Sequence, residues 1–589
     1  MTTRRTLFAA ALLLMGAALW TSCQKEAGSV RDEAPADIPE GCLWLSLEAS
    51  KEADTKALSL DGSTLNAYWV QDEPVKVFLN GTCIGTLTAT PKDGDNTKAT
   101  LSGTVDASGI AENAVLTLLF PRDEWNYASQ AGTLASIAAN YDYAAAEVEV
   151  VSVDSNNVTT TQASFVNQQS IYKLTFTGLL VDGIASVTIH SAGNKLVASS
   201  VVGGSQTYGD ITVTLDDDAR SANGEGVAYA ALRFDALEAG HTEELTITVT
   251  DTGSNTYVAT KTSPSGGFIN GKYYTSTIRR IRLDDVTDTD GNGKYYVAAQ
   301  DGDIITGYFD GYITIPDGAA VTLDNAYITA PVESDHAAIH CLGSAHIILN
   351  GDNNSARPGY LSYYPAVFVA HNGSGDEYTL TISGTGNSGF LEAHSDNFSA
   401  GIGGGNGIPC GNIVIAGGTV QADGGQYAAG IGSGYNSSCG NITISGGMVM
   451  AQGGSDAAGI GSGSWGSCSN ILINGGSIGH KGSSDGALGG DHAAGIGSGA
   501  SGSCGNITIT DGIDYLYAEK DHSGGPSVCI IGYGLGGSCG TVKIAGSVMD
   551  DYQKIYGVMG SIDDHLWSNV TYDPGNPDNF YWELSKTPF

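Results

Sequence analysis

The sequence predicts an all-β protein in which two antiparallel sandwiches precede a parallel β-helix. The first observation is a repeat, because Cys410, Cys439, Cys468, Cys504 and Cys539 recur at spacings of 29, 29, 36 and 35 residues. The second is a glycine-isoleucine run ahead of each cysteine, which reads AGIGGG, then AGIGSG three times, then CIIGYG. The third is a series of longer alternating strands between residues 40 and 285. A fixed period with the same residues in phase indicates one unit stacked on copies of itself.

Each unit of the repeat divides into short strands separated by glycine turns. In the second copy Ile442 and Ile444 alternate with polar residues, so both face inward at period 2. Paired glycines supply the positive φ that tight corners need. This pattern predicts a parallel β-helix of about seven coils over residues 310–548. We expect one inward column to contain Ile339, Val367, Ile402, Ile431, Ile460, Ile496 and Ile531.

Residues that stack in register should also form ladders. The asparagines that follow the cysteines by two positions, Asn412, Asn441, Asn470 and Asn506, predict an amide ladder, which Thr541 breaks in the last copy. The cysteine column is either a packing column of reduced thiols or holds one or two disulfides between coils. A linear column is not a tetrahedral cage, so a metal is not expected there. Insertions at residues 483–491 and 519–526 are expected to form loops.

Composition limits the possible partners. The chain has 589 residues and a formal net charge of −37, with 26 lysines and arginines. Nucleic acid and anionic membrane surfaces are therefore poor partners. Hydrophobic residues make up 41% of the chain and charged residues 15%, and the chain has 83 glycines, which indicates a folded β-rich protein instead of a disordered acidic tail.

The N-terminus predicts export. Arg4 and Arg5 precede an apolar run that is too short for a stable membrane-spanning helix, and Thr21-Ser22-Cys23 follows it. Residues 1–22 resemble a bacterial lipoprotein signal, which implies lipidation of Cys23 and anchoring in outer-membrane lipid. Residues 23–40 form a linker, whose Gln24-Lys25-Glu26 resembles the tag that sends some lipoproteins to the cell surface. The alternative is an ordinary secretory signal with an incidental cysteine.

Between the linker and the repeat, strands of ordinary length predict two sandwiches. PVKVFL at Pro74 to Leu79 and LTITV at Leu245 to Val249 are examples, and turn residues such as Asn80-Gly81 separate the strands. A break near Gln162 divides the region into residues 41–162 and 163–285. Residues 286–309 read as an acidic hinge, and residues 549–589 read as a cap over the open edge of the last coil.

Several segments of the sandwich region resemble fimbrillin domains. Ala67-Tyr68-Trp69 with Asp72 and Val75 to Phe78 looks like their tryptophan-acidic-strand element. Phe165 to Asn167 and Ile171 to Leu174 look like the start of their second domain, and Gly267 to Tyr274 resembles its closing strand. The resemblance implies two transthyretin-like sandwiches in a lipoprotein related to pilus subunits. It also implies possible proteolysis at a basic residue, for which Arg31 is the candidate.

The repeat region resembles glycine-isoleucine β-helix modules assigned to carbohydrate binding in bacterial surface proteins. Together the two resemblances imply a non-enzymatic cell-surface adhesin that binds glycans or other host or bacterial surface polymers. It would serve as an accessory or tip component beside other pilus subunits. The alternative is a structural pilus subunit or rigid spacer, and a less favoured one is a polysaccharide lyase or hydrolase. The sequence lacks arginine after Arg357 and shows no adjacent acidic pair at matching coil positions.

Aromatic residues are the candidate ligand-binding groups, and no catalytic residue or cofactor is expected. Tyr435 and Trp465 occupy the same loop of adjacent coils and predict a flat platform for a sugar face. The further candidates are Tyr427, in another turn, and Tyr360, Tyr363 and Tyr364, near Arg357. The alternative is that these rings only cover hydrophobic edges. Asp288, Asp290 and Asn292 have the spacing of a calcium loop, but Ala299 stands where its glutamate belongs, which favours a solvated hinge.

Overall fold

The computed structural model describes residues 35, 37–51, 59–61, 64–66, 69–120, 124–141, 143–178, 183–201, 205–224, 226–332, 336–373, 377–384, 389–480, 483–520, 528–545, 555–556, 567–571 and 580–584. These residues form an all-β structure. Its described helical segments are the short helices Leu134–Asn140 and Asp217–Asn223 and the 3-10 turn Leu283–Asp285. Across the described part of the chain, no helix is long and apolar enough to cross a membrane. The predicted signal, Cys23, Arg31 and most of the predicted cap lie outside the described residues.

The first unit contains a sheet that closes on itself. Cys42–Lys51 pairs antiparallel with Asp95–Asp106 on one side and parallel with Asn157–Thr160 and Ala163–Asn167 on the other. Its alternating burial places every second residue in the core. The remaining strands of this unit are Ser59–Asp61, Thr64–Asn66, Pro74–Leu79, Thr82–Lys92, Val115–Phe120 and Ala144–Val153.

Trp69 is the centre of the first core. Its ring meets Phe120 and Phe165 edge to face, with centroids 5.7 and 5.3 Å apart. The Lys51 ammonium lies 3.8 Å from the Trp69 ring centroid and 3.0 Å from a Glu73 carboxylate oxygen. Because a buried ammonium requires compensation, the indole face and the carboxylate together allow Lys51 to lie inside the unit.

The second unit contains a mostly antiparallel sheet of five strands, with one parallel pairing, and a second group that continues into the repeat region. Two strands that precede residue 162, Glu124–Asn126 and Ser129–Gln130, pair with Val197–Val201 and Ile211–Thr214, which follow it. The chain therefore crosses between the units before residue 162, where the sequence places a single break. The other strands are Ser170–Thr177, Ile184–Ser191, Gln206–Tyr208, Val227–Leu232, Glu244–Asp251, Thr256–Thr262 and Tyr273–Arg282.

Residues 296–545 form a stack of parallel strands, referred to below as the stack. Each turn of the chain, or rung, contributes strands to up to three neighbouring sheets. The strands are Tyr296–Ala298, Asp303–Asp310, Tyr312–Ile315, Ala319–Thr329, Ile339–Cys341, Ala345–Asn350, Asn354–Arg357, Val367–Val369, Thr379–Gly384, Phe390–His394, Ile402–Gly403, Asn412–Ile415, Thr419–Asp423, Ile431–Gly432, Ser438–Cys439, Ile442–Gln452, Ile460–Gly461, Ser467–Cys468, Ile471–Ile478, Ala487–Leu488, Ile496–Gly497, Ser503–Cys504, Ile507–Ile509, Ile513–Glu519, Ile531–Gly532, Ser538–Cys539 and Val542–Ala545.

The predicted isoleucine column is confirmed. Ile431 lies directly beside Ile402 and Ile460 in parallel register, and the column continues through Ile496 to Ile531. Upstream it runs through Val367, Ile339 and Ile313 to Val297, so it begins two rungs earlier than the sequence indicates. The isoleucine side chains are fully or almost fully buried, each contributing about 1.5–3 kcal/mol.

The glycine after the column isoleucine must be a glycine, because the backbones of neighbouring rungs approach closely there. These glycines have φ between +132° and +139°, a region that other residues rarely adopt: Gly403, Gly432, Gly461, Gly497 and Gly532. A Cβ atom on Gly461 would lie 1.8 Å from the carbonyl oxygen of Gly497 in the next rung. The serine that follows this glycine is also buried, and its hydroxyl accepts a backbone N–H from the next rung, as Ser433 does from Gly463 at 3.0 Å.

The asparagine ladder forms, but each side-chain oxygen accepts mainly from a backbone N–H of the next rung. The Asn441 side-chain oxygen accepts the backbone N–H of Asn470 at 3.1 Å and its side-chain N–H at 3.2 Å. Thr541 has no side-chain amide, so the amide ladder ends at Asn506, but Asn506 still accepts the backbone N–H of Thr541 at 2.9 Å. Any residue with a backbone N–H therefore ends the ladder without losing the last bond.

Strands run through the segment predicted as an acidic hinge. Asp303–Asp310 pairs in parallel with Tyr273–Arg282 of the second unit and with Ala319–Thr329 of the stack. The Arg279 guanidinium forms a two-pronged ion pair with the Asp303 carboxylate, one prong measuring 2.9 Å, and Asp303 is buried. This pairing and the shared sheet join the second unit firmly to the stack.

The last described rung is followed by strands of the C-terminal segment. Ile555–Tyr556 continues the parallel pairing beside Ile513–Glu519. Phe580–Leu584 pairs antiparallel with Val542–Ala545 on one side and with Trp567–Thr571 on the other. The edge of Val542–Ala545 is thus paired with the chain's own strand.

Candidate functional site

Two corner loops of each rung meet on one side of the stack. The first corner precedes the buried Ile-Gly strand and contains, in successive rungs, Phe398, Tyr427, Asp456 and His492. The second corner follows that strand and contains Tyr435, Ser464, Ala500 and Leu535 at equivalent positions. Each second-corner N–H donates to a first-corner carbonyl of the preceding rung, Tyr435 to Phe398 and Ser464 to Tyr427, at 2.9 Å in both cases. The corners therefore form one continuous surface along the stack.

Three aromatic rings cluster on this surface. Phe398 and Tyr427 stack with centroids 5.9 Å apart and ring planes inclined by 16°. Tyr435 lies 5.8 Å from Phe398 and 5.9 Å from Tyr427. Phe398 is 36% exposed, and both tyrosines are half-buried. These three residues are called the aromatic cluster below.

Phe398 was not predicted from the sequence, although a signal for it was present. It precedes Ile402 by four residues, as Tyr427 precedes Ile431. Identical spacing from the isoleucine column places both rings at the same point of adjacent rungs. The sequence instead pairs Tyr435 with Trp465, whereas the ring neighbours of Tyr435 are Phe398 and Tyr427.

Trp465 is the most exposed aromatic residue of the second corner. Its side chain is 65% exposed, and its backbone has φ of +57°. The equivalent positions in neighbouring rungs hold Asn436, Ser501 and Gly536, also with positive φ. Asparagine and glycine are the residues that favour this conformation, whereas a bulky side chain there is uncommon and costs free energy. Tyr427, with φ of +64°, is a second bulky residue in the same conformation.

The three tyrosines predicted near Arg357 separate into two environments. Tyr360 and Tyr363 are 65% and 63% exposed. The Tyr363 carbonyl accepts the backbone N–H of Asn406 and the Ser399 hydroxyl, at 2.9 and 2.8 Å, which places its loop beside the aromatic cluster. Tyr364 instead packs against the rings of His340 and Phe368, at 5.4 Å from each.

An aromatic and imidazole row continues towards the start of the stack. Tyr296 stacks on Tyr312, Tyr312 on His336, and His336 meets His340 edge to face, with centroids 5.9, 4.3 and 5.1 Å apart. Burial, with a smaller contribution from His336, lowers the pKa of His340 to about 4. His340 is therefore neutral at physiological pH and behaves as a packed ring.

Two groups of paired polar side chains occur in the rungs of the aromatic cluster and the rungs that follow. Asp456 and His492 occupy the column of Phe398 and Tyr427 in the next two rungs, and their side chains meet at 2.7 Å from Oδ1 to Nδ1. In the rung of Phe398, His394 contacts Asp396 at 2.7 Å, and Asp423 lies 3.6 Å from its Nδ1. The contact with Asp423, followed by that with Asp396, raises the pKa of His394 against the opposing effect of burial.

The candidate calcium residues are engaged in local bonds. The Asp290 carboxylate accepts the backbone N–H groups of Asn292 and Lys294 at 2.8 and 2.9 Å, and the Tyr312 hydroxyl at 3.0 Å. These bonds, the one to Lys294 foremost, lower the pKa of Asp290. Within the described ranges, no group of three or more metal-ligating side chains could hold a metal ion.

The cysteine column holds thiols in register. Cys439 lies beside Cys468, and Cys468 beside Cys504, in parallel pairing. The sulfur atoms of Cys468 and Cys504 are 3.1 Å apart, and both residues are unbridged and buried. The neighbouring Cys468 thiol and burial raise the pKa of Cys504 well above its usual value. The Cys504 thiol is therefore packed and weakly nucleophilic.

Comparison with known proteins gives low similarity only. No family model matches the chain, and no curated protein matches it. Among solved structures it is similar to a "putative cell adhesion protein" from Bacteroides uniformis, with 14% identity and a TM-score of 0.25, over 41% of this chain and 94% of the other. It is also similar to a fimbrial assembly protein from Parabacteroides distasonis, with 14% identity and a TM-score of 0.22, over 40% of this chain and 90% of the other. At TM-scores this low, neither similarity assigns a fold family or a function.

Proposed function

We propose that this protein is a non-enzymatic cell-surface adhesin whose stack is a parallel β-helix that binds neutral glycan polymers on its aromatic side. One observation carries the proposal: exposed and half-exposed rings occupy adjacent rungs on a single surface, with Trp465 and Tyr427 in left-handed backbone conformations. Strained backbone that the surrounding structure maintains is concentrated at functional positions. The corner of Trp465 imposes this conformation in neighbouring rungs too, since Asn436, Ser501 and Gly536 share it, so a bulky ring at this position is kept at a cost in free energy.

The shape of the surface favours a polymer over a small molecule. Rungs of a parallel stack lie about 4.8 Å apart, so one surface position recurs along the axis at nearly regular intervals. Aromatic faces bind the C–H face of a pyranose ring, and a row of them contacts successive sugars. The loop that contains Tyr363 extends the row towards the start of the stack, and Trp465 extends it in the opposite direction.

The charge of the chain favours a neutral ligand. The net charge is −37, and arginine does not occur after Arg357. Arg357 itself pairs with Glu392 at 3.1 Å. Acidic polysaccharides such as polyuronates or sulfated glycans would therefore meet net repulsion, with few cations to offset it.

Export and anchoring through Cys23 complete the proposal, with the sandwiches as the base. The lipid chain would hold the protein at the outer membrane, because each buried CH₂ group contributes about 0.8 kcal/mol. Metabolic labelling with a fatty-acid analogue, compared between the wild type and Cys23→Ala, tests this part. Unchanged labelling of Cys23→Ala would remove the lipid anchor from the proposal.

The binding test compares variants of the full mature chain. Affinity electrophoresis against mannan, galactomannan, xyloglucan and polygalacturonate should give binding to at least one neutral polymer and none to the acidic one. Trp465→Ala should weaken that binding about tenfold, equivalent to 1.4 kcal/mol. Tyr308→Ala is the matched control, because Tyr308 is 66% exposed and stacks on Tyr327 at 4.5 Å. These two tyrosines lie on neighbouring strands of one sheet, away from the corner loops. Equal affinity of Trp465→Ala and Tyr308→Ala would contradict the proposed surface.

A structural role as a rigid spacer is the second candidate. The shared sheet and the Arg279–Asp303 pair favour it, because they join the second unit to the stack without a loose linker. Immunogold labelling of surface filaments separates the two roles. Label along filament shafts would indicate a structural subunit, whereas label at tips or on the cell envelope agrees with an adhesin.

A further inference from the structure

Beyond the aromatic rings, Asp456 and His492 stand out on the same surface. They occupy the first-corner positions that hold Phe398 and Tyr427 in the preceding rungs. Their side chains meet at 2.7 Å, and 28% of Asp456 and 41% of His492 remain exposed. The column therefore changes, between one rung and the next, from stacked rings to a hydrogen-bonded carboxylate and imidazole.

Backbone hydrogen bonds connect the pair to Trp465. The Trp465 N–H donates to the Ala500 carbonyl at 3.1 Å, and the Ala500 N–H donates to the Asp456 carbonyl at 2.9 Å. A single residue thus joins the backbones of the exposed indole and the carboxylate. The His492 carbonyl in turn accepts the N–H of Leu535 at 2.8 Å, which fixes the next corner in the same way.

The hydrogen-bond chemistry of the pair is set by its contact. In the neutral imidazole, Nδ1–H of His492 donates to Asp456 Oδ1 and Nε2 is an acceptor, and Asp456 Oδ2 is a second acceptor. Two acceptors held close together match two neighbouring hydroxyl donors. An apolar protein partner has no such donors, and an acidic glycan would bring its own carboxylates towards the Asp456 carboxylate.

We propose that Asp456 and His492 form the polar subsite of the glycan surface and bind adjacent hydroxyl groups of a sugar whose ring stacks on Trp465. This inference rests on the proposed function and names the ligand more closely as a neutral polymer with free vicinal hydroxyls. The aromatic cluster supplies affinity for ring faces, and the pair supplies selectivity for hydroxyl pattern. A surface with the rings alone would not distinguish a polysaccharide from its fully O-methylated form.

The test uses the full mature chain with the neutral polymer that the wild type binds best, among mannan, galactomannan and xyloglucan, and with its O-methylated derivative. The wild type should bind the free polymer at least tenfold tighter than the methylated one. Asp456→Ala and His492→Ala should each lose most of that difference, while weak binding through the rings persists. His190→Ala is the matched control, because His190 contacts Asp210 at the same 2.7 Å in the second unit, and it should keep wild-type affinity.

The outcomes separate the two proposals. If Trp465→Ala weakens binding but both Asp456→Ala and His492→Ala retain wild-type affinity and preference, the polar subsite is wrong and the aromatic surface remains. If the wild type binds free and methylated polymers equally, the subsite is wrong as well. If the wild type binds no neutral polymer, both proposals fail. Hydrogen exchange of the surrounding rungs, unchanged from wild type, confirms that a variant that loses affinity is still folded.

Discussion

Replacement of Gly461 by alanine tests whether the stack depends on contact between consecutive glycines. Gly461 has φ of +137°, and an added Cβ would lie 1.8 Å from the Gly497 carbonyl oxygen. Backbone strain in this region costs about 1–3 kcal/mol. The contact can be relieved only by separating two rungs, which weakens the bonds from Ile460 N–H to Gly495 and from Ser462 N–H to Gly497, at 3.0 and 2.9 Å.

The expected loss of local stability is about 3–5 kcal/mol, because each weakened hydrogen bond adds about 1 kcal/mol to the backbone strain. Gly407→Ala is the control, since Gly407 also has positive φ, +68°, but nothing lies within 4 Å of its added Cβ. That variant should lose only about 1 kcal/mol. The comparison isolates the contact between rungs from the backbone conformation.

Hydrogen exchange measured by mass spectrometry is the suitable assay, because unfolding of a chain with several cores is not two-state. Amides of Ile460 and Ser462 should exchange about a hundredfold to a few thousandfold faster in Gly461→Ala than in the wild type. Gly407→Ala should accelerate exchange about tenfold or less. Equal protection in the two variants would refute the reasoning that close packing of glycines holds the rungs together.

Three further predictions concern the ladders and titratable groups. Asn470→Ala should cost about 1 kcal/mol of local stability, because it removes the acceptor for the Asn506 N–H, whereas Asn470→Asp keeps an acceptor and should cost less. Hydrogen exchange of the Asn506 amide measures the difference. Equal exchange rates in the two variants would contradict the prediction. His340 has a folded pKa of about 4, below the unfolded value of 6.5, so its contribution is complete above pH 6.5 and lost as pH falls towards 4. Hydrogen exchange of the amides around His340, corrected for the intrinsic effect of pH on exchange, should therefore show roughly 1 kcal/mol of local stability lost between pH 6.5 and 5.5, and His340→Phe should remove that dependence. Iodoacetamide should label exposed Cys83 in the native protein but not buried Cys504, and rapid native labelling of Cys504 would show that the column is open.

The repeat made the inner column predictable. An isoleucine at the same point of each copy must be equally buried if the copies stack, so Ile402 to Ile531 could be aligned from the sequence. The beginning of the column could not, because Val297 and Ile313 lack the glycines that mark later copies. Only the parallel pairing of their strands with Ile339–Cys341 and with each other reveals them.

Strand pairing, and not the sequence, showed where the chain departs from the repeat in the insertion near residues 483–491. The 36-residue spacing indicates extra residues, and the sequence places them as a loop over residues 483–491. In the structure Ile478 lies beside Val449 and Ala487 lies beside Ala451. The chain therefore leaves the sheet between residues 478 and 487 and returns to pair with the same strand, Ile442–Gln452. Ala487–Leu488 is therefore a strand inside the predicted loop. Residue types alone do not show which alanine completes the column.

The sequence by itself determined that copies of one glycine-cornered unit stack in register, because like residues at a fixed period must meet like residues. It also determined the ladders of asparagine and cysteine, and the excess of negative charge. Only the tertiary structure decided which side chains share a surface. Phe398 belongs to one rung, and Tyr427 and Tyr435 belong to two different corners of the next rung, and hydrogen bonds between corner loops bring them together. Such contacts depend on how far each loop folds over the short Ile-Gly strand, which is a property of three-dimensional packing and not of spacing along the chain.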